Sequence, residues 1–357
     1  MTIEDPAEKG FITDSQETAP DGVPGMPDAA PGAATPDLSA LDIRPGPGAP
    51  REYHFPHFDR FKLSNGLTVL YANVPGRALI AAHLLMPGGG WTEPAEQGGI
   101  TVLTSRAMPE GTLRRDANQF IEDSERLGAE IHAEASWEAL TAGMEVPRSH
   151  FGEALSLLAE MVFEPAFPEE EVERLRGERM NDLLQAWSDP RRRAERVFPE
   201  TIFGPMSPYR RPLAGVQSTV RALGRAEVQA RHAALVNPAT ATLVVAGDLG
   251  GQRLDQLAEQ HLGQRAAAAG PATSAMPANH AIAGGPKVVL VDKPGAPQSE
   301  LRIGHLGVAR KTPDFHSISV LNAILGGTFN SRLNVVLREE KGYTYGIGSS
   351  FDMRRQA

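Results

Sequence analysis

"LTVLYANVPGRALIAAHLL", residues 67–85, reads as an apolar run, a Pro-Gly turn and a second apolar run. The order returns in "PKVVLVDKPGAPQSELRIGHL", residues 286–306. More landmarks follow in step. Gly111-Thr112 is matched by Gly327-Thr328, Gly128 by Gly342, and "AEIHAEASW" by "YTYGIGSSF". A long-period repeat decides the fold class before any single element does. The pattern predicts an α+β protein of duplicated domains, each an antiparallel sheet covered by helices.

Local signals fill in the first copy. Asn65-Gly66 is a hairpin turn signal, and a strand is expected from Ala78 to Met86. Helical spacing appears over about 97–108 and 116–127, where Gly128 is placed to cap the second helix. "AEIHAEASWEALTAGMEV" alternates like a strand pair, residues 149–163 are helical in period, and "PEEEVERLRGERMNDLLQAWSDP" opens with Pro and acids as helix starts do. "ATATLVVAGDL" reads as a buried strand. In the second copy a hairpin, a helix over 315–325, a helix ending at Gly342 and a strand over 343–351 are expected.

These signals divide the chain into a disordered leader (1–55), a first domain (56–263), a linker (264–285) and a second domain (286–357). The leader is rich in Pro, Gly, Ala and Asp and offers little apolar surface to offset its ordering entropy. The second copy has 72 residues. It is expected to be incomplete, a C-terminally truncated counterpart of the first.

The 357 residues carry a net charge of -9 and no cysteine. The acidic balance argues against nucleic acid or an anionic membrane as partner, and "RRRAER" from Arg191 reads as a solvated helix face. Disulfides, thiol nucleophiles and thiolate metal sites are excluded. No apolar run reaches the about 20 residues that span a bilayer. The first residues lack the basic start and apolar core of a secretory signal, so the cytoplasm is expected; a start codon elsewhere would reopen a periplasmic or secreted location.

Candidate chemistry is sparse. His54 and His57 form an H-x-x-H pair without a nearby third ligand, which is weak support for a metal. His132 shares a strand face with Glu130 and Glu134, either a solvated face or a groove lining. The glycines at 88–90 have no phosphate-cradle lysine after them and read as a turn. Arg338 sits late on a helix, with Tyr343 and Tyr345 just beyond it on one face of a strand. They offer a planar fork and phenolic hydroxyls to a carbonyl or oxyanion. On the residues alone, the simpler reading pairs Arg338 with Glu339 or Glu340 at the surface.

"LSNGLTVLYANVPG", "GGGWTEPAEQGGI", "LVNPATATLVVAGDL" and, most specifically, "LGGTFNSRLNVVLREEKGYTYGIGSSF" (325–351) together resemble the pitrilysin/insulinase superfamily of zinc peptidases, which includes the mitochondrial processing peptidase and its non-catalytic subunit. In active members the segment matching "GGITVLTSRAMPEGT" (98–112) carries H-x-x-E-H, two zinc ligands and a general base on one helix face. The resemblance places that motif on Val102, Ser105 and Arg106, and the downstream third ligand near Asp182. Valine has no lone pair, serine takes no proton near neutral pH, and arginine sets a fixed positive charge where Zn²⁺ belongs. His132 stands where active members often have asparagine. Arg338 and Tyr345 match the family's second-domain pair, which holds the substrate backbone carbonyl.

The resemblance therefore implies a non-catalytic homologue, with no metal or cofactor of its own, pairing as a heterodimer with a zinc-bearing homologous subunit. It would supply substrate-binding residues for hydrolysis of unfolded peptides. The alternatives are a pseudoenzyme acting as a structural or peptide-binding module, and a metalloendopeptidase with displaced ligands.

Overall fold

The computed structural model describes residues 46, 48–266 and 287–356. Contacts separate Met1–His54 from Phe55–Ala357. The described residues of the first unit carry no regular element. The predicted leader lies outside the described residues up to position 45, and the predicted linker from 267 onward.

In the second unit, Asn65 and Gly66 close the hairpin of β1 (Asp59–Lys62) and β2 (Thr68–Asn73). The Gly66 N–H donates to the Leu63 carbonyl, and Leu63 in turn to Leu67, both at 2.9 Å. Then come β3 (Leu79–Pro87), β4 (Glu130–Ala135), β5 (Ala139–Pro147) and β6 (Thr242–Gly247). The sheet order is β1-β2-β6-β3-β5-β4. It is antiparallel at every pair except β2–β6, which is parallel. β2 and β3, consecutive in sequence, are thus bridged by a strand made much later.

The helices are α1 (Ile100–Ala107), α2 (Ala117–Arg126), α3 (Phe151–Phe163), α4 (Glu169–Ser188), α5 (Pro190–Ile202), α6 (Gln217–Arg221), α7 (Arg225–Leu235), α8 (Leu254–Ala258) and α9 (Phe315–Asn322). Period-two alternation sends Val69, Ile80, Leu84, Met86, Leu140, Met144, Leu243 and Val245 into the core against them. The opposite face carries Ala81, His83, Leu85, Thr141, Gly143 and Glu145. α2 begins at a capping box: the Asp116 carboxylate accepts the Gln119 N–H at 2.9 Å, and Gln119 Oε1 accepts the Asp116 N–H at 3.1 Å. Gly128 (φ 61°) follows its end, as expected. Among the described residues no helix is long and apolar enough to cross a membrane.

The second copy departs from expectation. The hairpin predicted over 286–306 is not formed in its described part, and 343–351 is not a strand. The reason lies in the first copy's topology. There the hairpin's two strands bond to β6 between them, and β4 bonds only to β5. Among the described residues the second copy offers no counterpart of either partner strand. Its helical elements do form: α9 continues into a π-helical turn, Ala323–Gly327, and a π-helical segment spans Asn334–Glu340. The stretch after Gly342 is held by side chains instead of a ladder. Buried Asn334 donates to the Ile347 carbonyl (2.8 Å) and accepts from its N–H (3.3 Å), while Ser349 donates to Asn322 Oδ1 at 2.8 Å.

Candidate functional site

The stretch 98–112 is seated by a buried carboxylate. Glu93 accepts the N–H groups of Gly99 (3.0 Å) and Thr101 (2.8 Å), which the start of α1 leaves without intrahelical partners. Gly99 must be glycine: its φ is 98°, and a Cβ would lie 3.0 Å from the Ala214 backbone. Behind Glu93, Arg231 donates to Thr101 Oγ1 (3.0 Å), Thr92 Oγ1 (2.6 Å) and the Gly89 carbonyl (2.6 Å). Burial lowers the Arg231 guanidinium's affinity for its proton, and the Glu93 charge works against that. The glycine-rich segment 88–90 is thus part of the seat for α1.

On α1, Val102, Ser105 and Arg106 lie on one face by helical spacing, and Val102 and Arg106 meet Arg179 of α4. Ser105 is 2% exposed, and its hydroxyl donates to the Val102 carbonyl at 3.0 Å. Arg106 reaches Glu178 at 2.9 Å. Arg179 stands beside Val102 and Arg106, donating to the Ala214 carbonyl at 2.9 Å. The space these side chains enclose is about 10 Å³, the limit for one water. Asp182, placed by resemblance at a third ligand position, is taken by Arg179 and by Arg192, the latter at 2.6 Å. Burial pushes its carboxyl up, but the two guanidinium groups outweigh that and hold it below its ordinary value. The α4 carboxylate that meets Arg106 is Glu178, one turn earlier.

This donor set does not fit a zinc ion. One side chain lacks a lone pair, one hydroxyl is already bonded to its own helix, and two guanidinium groups face the same space. Among the described residues no three His, Asp or Glu side chains converge as metal ligands would. His54 pairs with Glu52 and His57 with Asp59, all at the surface.

Arg338 and Tyr345 lie in the second copy. Arg338 stacks over the Phe329 ring (4.2 Å) with Glu339 3.9 Å away, and its buried Nη1 has no hydrogen-bond partner. Tyr345 is 90% exposed and Tyr343 is exposed as well, not paired on a strand face. No hydrogen bond joins Arg338 to Tyr345. His132 faces His83 across Gly143, with ring centroids 6.2 Å apart.

Residues 68–215 match the family model described as "Insulinase (Peptidase family M16)", and residues 222–355 match "Peptidase M16 inactive domain". The chain belongs to the pitrilysin/insulinase family. Within this family it is 24% identical to an uncharacterized zinc protease of Mycobacterium leprae (strain TN), over 82% of this chain and 66% of that protein. It is 23% identical to an uncharacterized zinc protease of Bacillus subtilis (strain 168), over 81% and 69%. The chain thus spans about two thirds of the length of the relatives it matches. Its fold is that of a peptidase M16 inactive domain from Pseudomonas fluorescens (TM-score 0.71, 22% identity, 84% of this chain and 71% of that one). A protease from Helicobacter pylori is similar too (TM-score 0.73, 18% identity, 85% and 74%).

Two residues around α1, Arg179 and Glu93, were not among the expected site residues. Arg179 is 77 positions from Val102 and belongs to no motif, so only the packing of α4 on α1 brings it in. Glu93 was legible in principle: an acid just before a Gly-Gly helix start is a capping signal.

Proposed function

We propose that this chain is the non-catalytic half of a two-subunit peptidase, pairing with a zinc-bearing homologue and contributing Arg338 and Tyr345 to peptide binding. The observation that carries the reading is the closed α1 face. By the resemblance, Val102, Ser105 and Arg106 take the positions of ligands and base, and Arg179 stands beside Val102 and Arg106. Zinc chemistry then belongs to the partner. In this chain, Arg338 keeps a guanidinium nitrogen without a hydrogen-bond partner, 3.9 Å from Glu339, and Tyr345 keeps an exposed hydroxyl. Both are donors that a backbone carbonyl of an extended peptide would satisfy. Neither moves a proton; their role is to hold the carbonyl as charge develops on it.

The test is reconstitution with a homologous subunit carrying intact H-x-x-E-H. Arg338→Lys and Tyr345→Phe should each lower kcat by on the order of 10²-fold, leaving subunit affinity and the partner's metal content unchanged. Wild-type rates in the doubly substituted heterodimer would leave the chain a structural module. Chelator-sensitive cleavage by this chain alone would instead favour displaced zinc ligands.

A further inference from the structure

On the first copy, two aromatic rings flank a cation. Trp137 and Tyr209 meet edge to face with centroids 5.6 Å apart, and Phe203 backs Tyr209 at 5.7 Å. The Arg354 guanidinium lies 4.7 Å from the Tyr209 ring centroid and 5.4 Å from that of Trp137. Its Nη1 is buried among them with no hydrogen-bond partner, while Nε donates to Asp352 at 2.9 Å. Beside the rings, Glu138 accepts the Tyr209 hydroxyl at 2.7 Å and the Arg355 N–H at 2.5 Å. Tyr209 is 1% exposed, so this wall is built into the core. Burial and the Glu138 carboxylate both raise its phenol above the ordinary value, and the Arg354 charge pulls the other way.

We propose that Trp137, Tyr209 and Glu138, with Phe203 backing Tyr209, form a receptor for the arginine side chain of a peptide, and that Arg354 of the same chain is its resident occupant. Ring faces attract a delocalised cation, most strongly where water is excluded, and a planar guanidinium stacks where an ammonium does not. The carboxylate adds the complementary charge and takes the backbone N–H of the residue after the arginine, so the site reads a peptide rather than a free cation. The walls are rigid. Trp137 closes the β4–β5 turn, which bonds to the Gly90 and Trp91 N–H groups at 2.9 and 3.0 Å. Tyr209 stands five residues before Ala214, the carbonyl that anchors Arg179. An incoming arginine would therefore dock at one end of the segment that closes the α1 face.

The experiment uses the full chain alone, without any partner subunit, so its failure is separable from that of the proposed pairing. The probes are N-acetyl-arginine amide and its neutral analogue N-acetyl-citrulline amide, followed by tryptophan fluorescence and calorimetry. Arg354→Ala should bind the arginine probe saturably, about 10-fold more tightly than the unsubstituted chain, in which Arg354 competes. It should bind the citrulline probe about 10-fold more weakly than the arginine probe. Adding Trp137→Leu should abolish binding. If that variant fails to fold, Glu138→Gln replaces it and should weaken arginine binding several-fold. Equal affinity with and without Arg354, equal affinity for the two probes, no saturable binding, or full affinity in Glu138→Gln would each overturn the proposal.

Discussion

The Arg106 guanidinium lies 2.9 Å from the Glu178 carboxylate, tying α1 to α4. Glu178 is shared with Arg174, and those two hydrogen bonds, Arg174's first, hold its carboxyl below the ordinary value. An ion-pair lattice thus joins the two helices.

Replacing the three α1 side chains should not recreate a metal site. In the triple variant Val102→His, Ser105→Glu and Arg106→His, Arg179 still faces the new ligands, and the glutamate must enter a position that is 2% exposed. Burying that carboxylate without a partner costs several kcal/mol. The expected outcome is a lowered Tm and no stoichiometric zinc by elemental analysis. One tightly held zinc per chain would mean that Arg179 can swing aside.

A methyl group at Gly143 should be resented by two rings at once. A Cβ there would lie 2.7 Å from His132 Nε2 and 2.8 Å from His83 Nδ1. Gly143→Ala is therefore expected to cost about 1–3 kcal/mol in denaturant unfolding. Combining it with His132→Ala should recover about 1 kcal/mol or more of that loss. Strict additivity of the two substitutions would show that the rings do not restrain the site.

Acidification should weaken the fold through buried imidazoles. His232, with Nε2 2.8 Å from the Val162 carbonyl and its ring against Phe167, is held below its ordinary 6.5 by burial, which outweighs that bond. His261 is lowered by burial and by the charge of Arg265. A depressed folded value means that the unfolded chain takes up protons first. Stability is full above about pH 6.5, declines as pH falls toward the folded values, and levels below them for these two groups. His232→Gln should flatten that decline in urea titrations run from about pH 7 to 5. An unchanged slope would assign it to other groups.

What could be read in the residues was local or periodic. Asn65-Gly66, the Asp116/Gln119 box and Gly128 announce themselves within a few positions, and alternation along β3 and β5 fixes their buried faces. Val102, Ser105 and Arg106 are legible as a face because helical spacing puts them there. Arg179, the meeting of Arg354 with Trp137 and the parallel β2–β6 pair depend on contacts between distant residues, which no window of sequence contains. The strands expected in the second copy are not formed for a related reason. Val288, Leu290 and Ile303 have the composition of strand residues, yet all three are exposed, since a strand exists only where another offers its edge.

The late arrival of β6 has a bearing on biosynthesis. Until residues 242–247 leave the ribosome, the nascent sheet is two pieces, β1–β2 and β3–β5–β4, with no hydrogen bond linking them. Each leaves one apolar margin open for the same incoming strand, and the closing step is a non-local one that includes a parallel ladder. A nascent chain stalled before that point presents two sticky edges to its neighbours, so the hazard of misassembly is concentrated in one interval of translation.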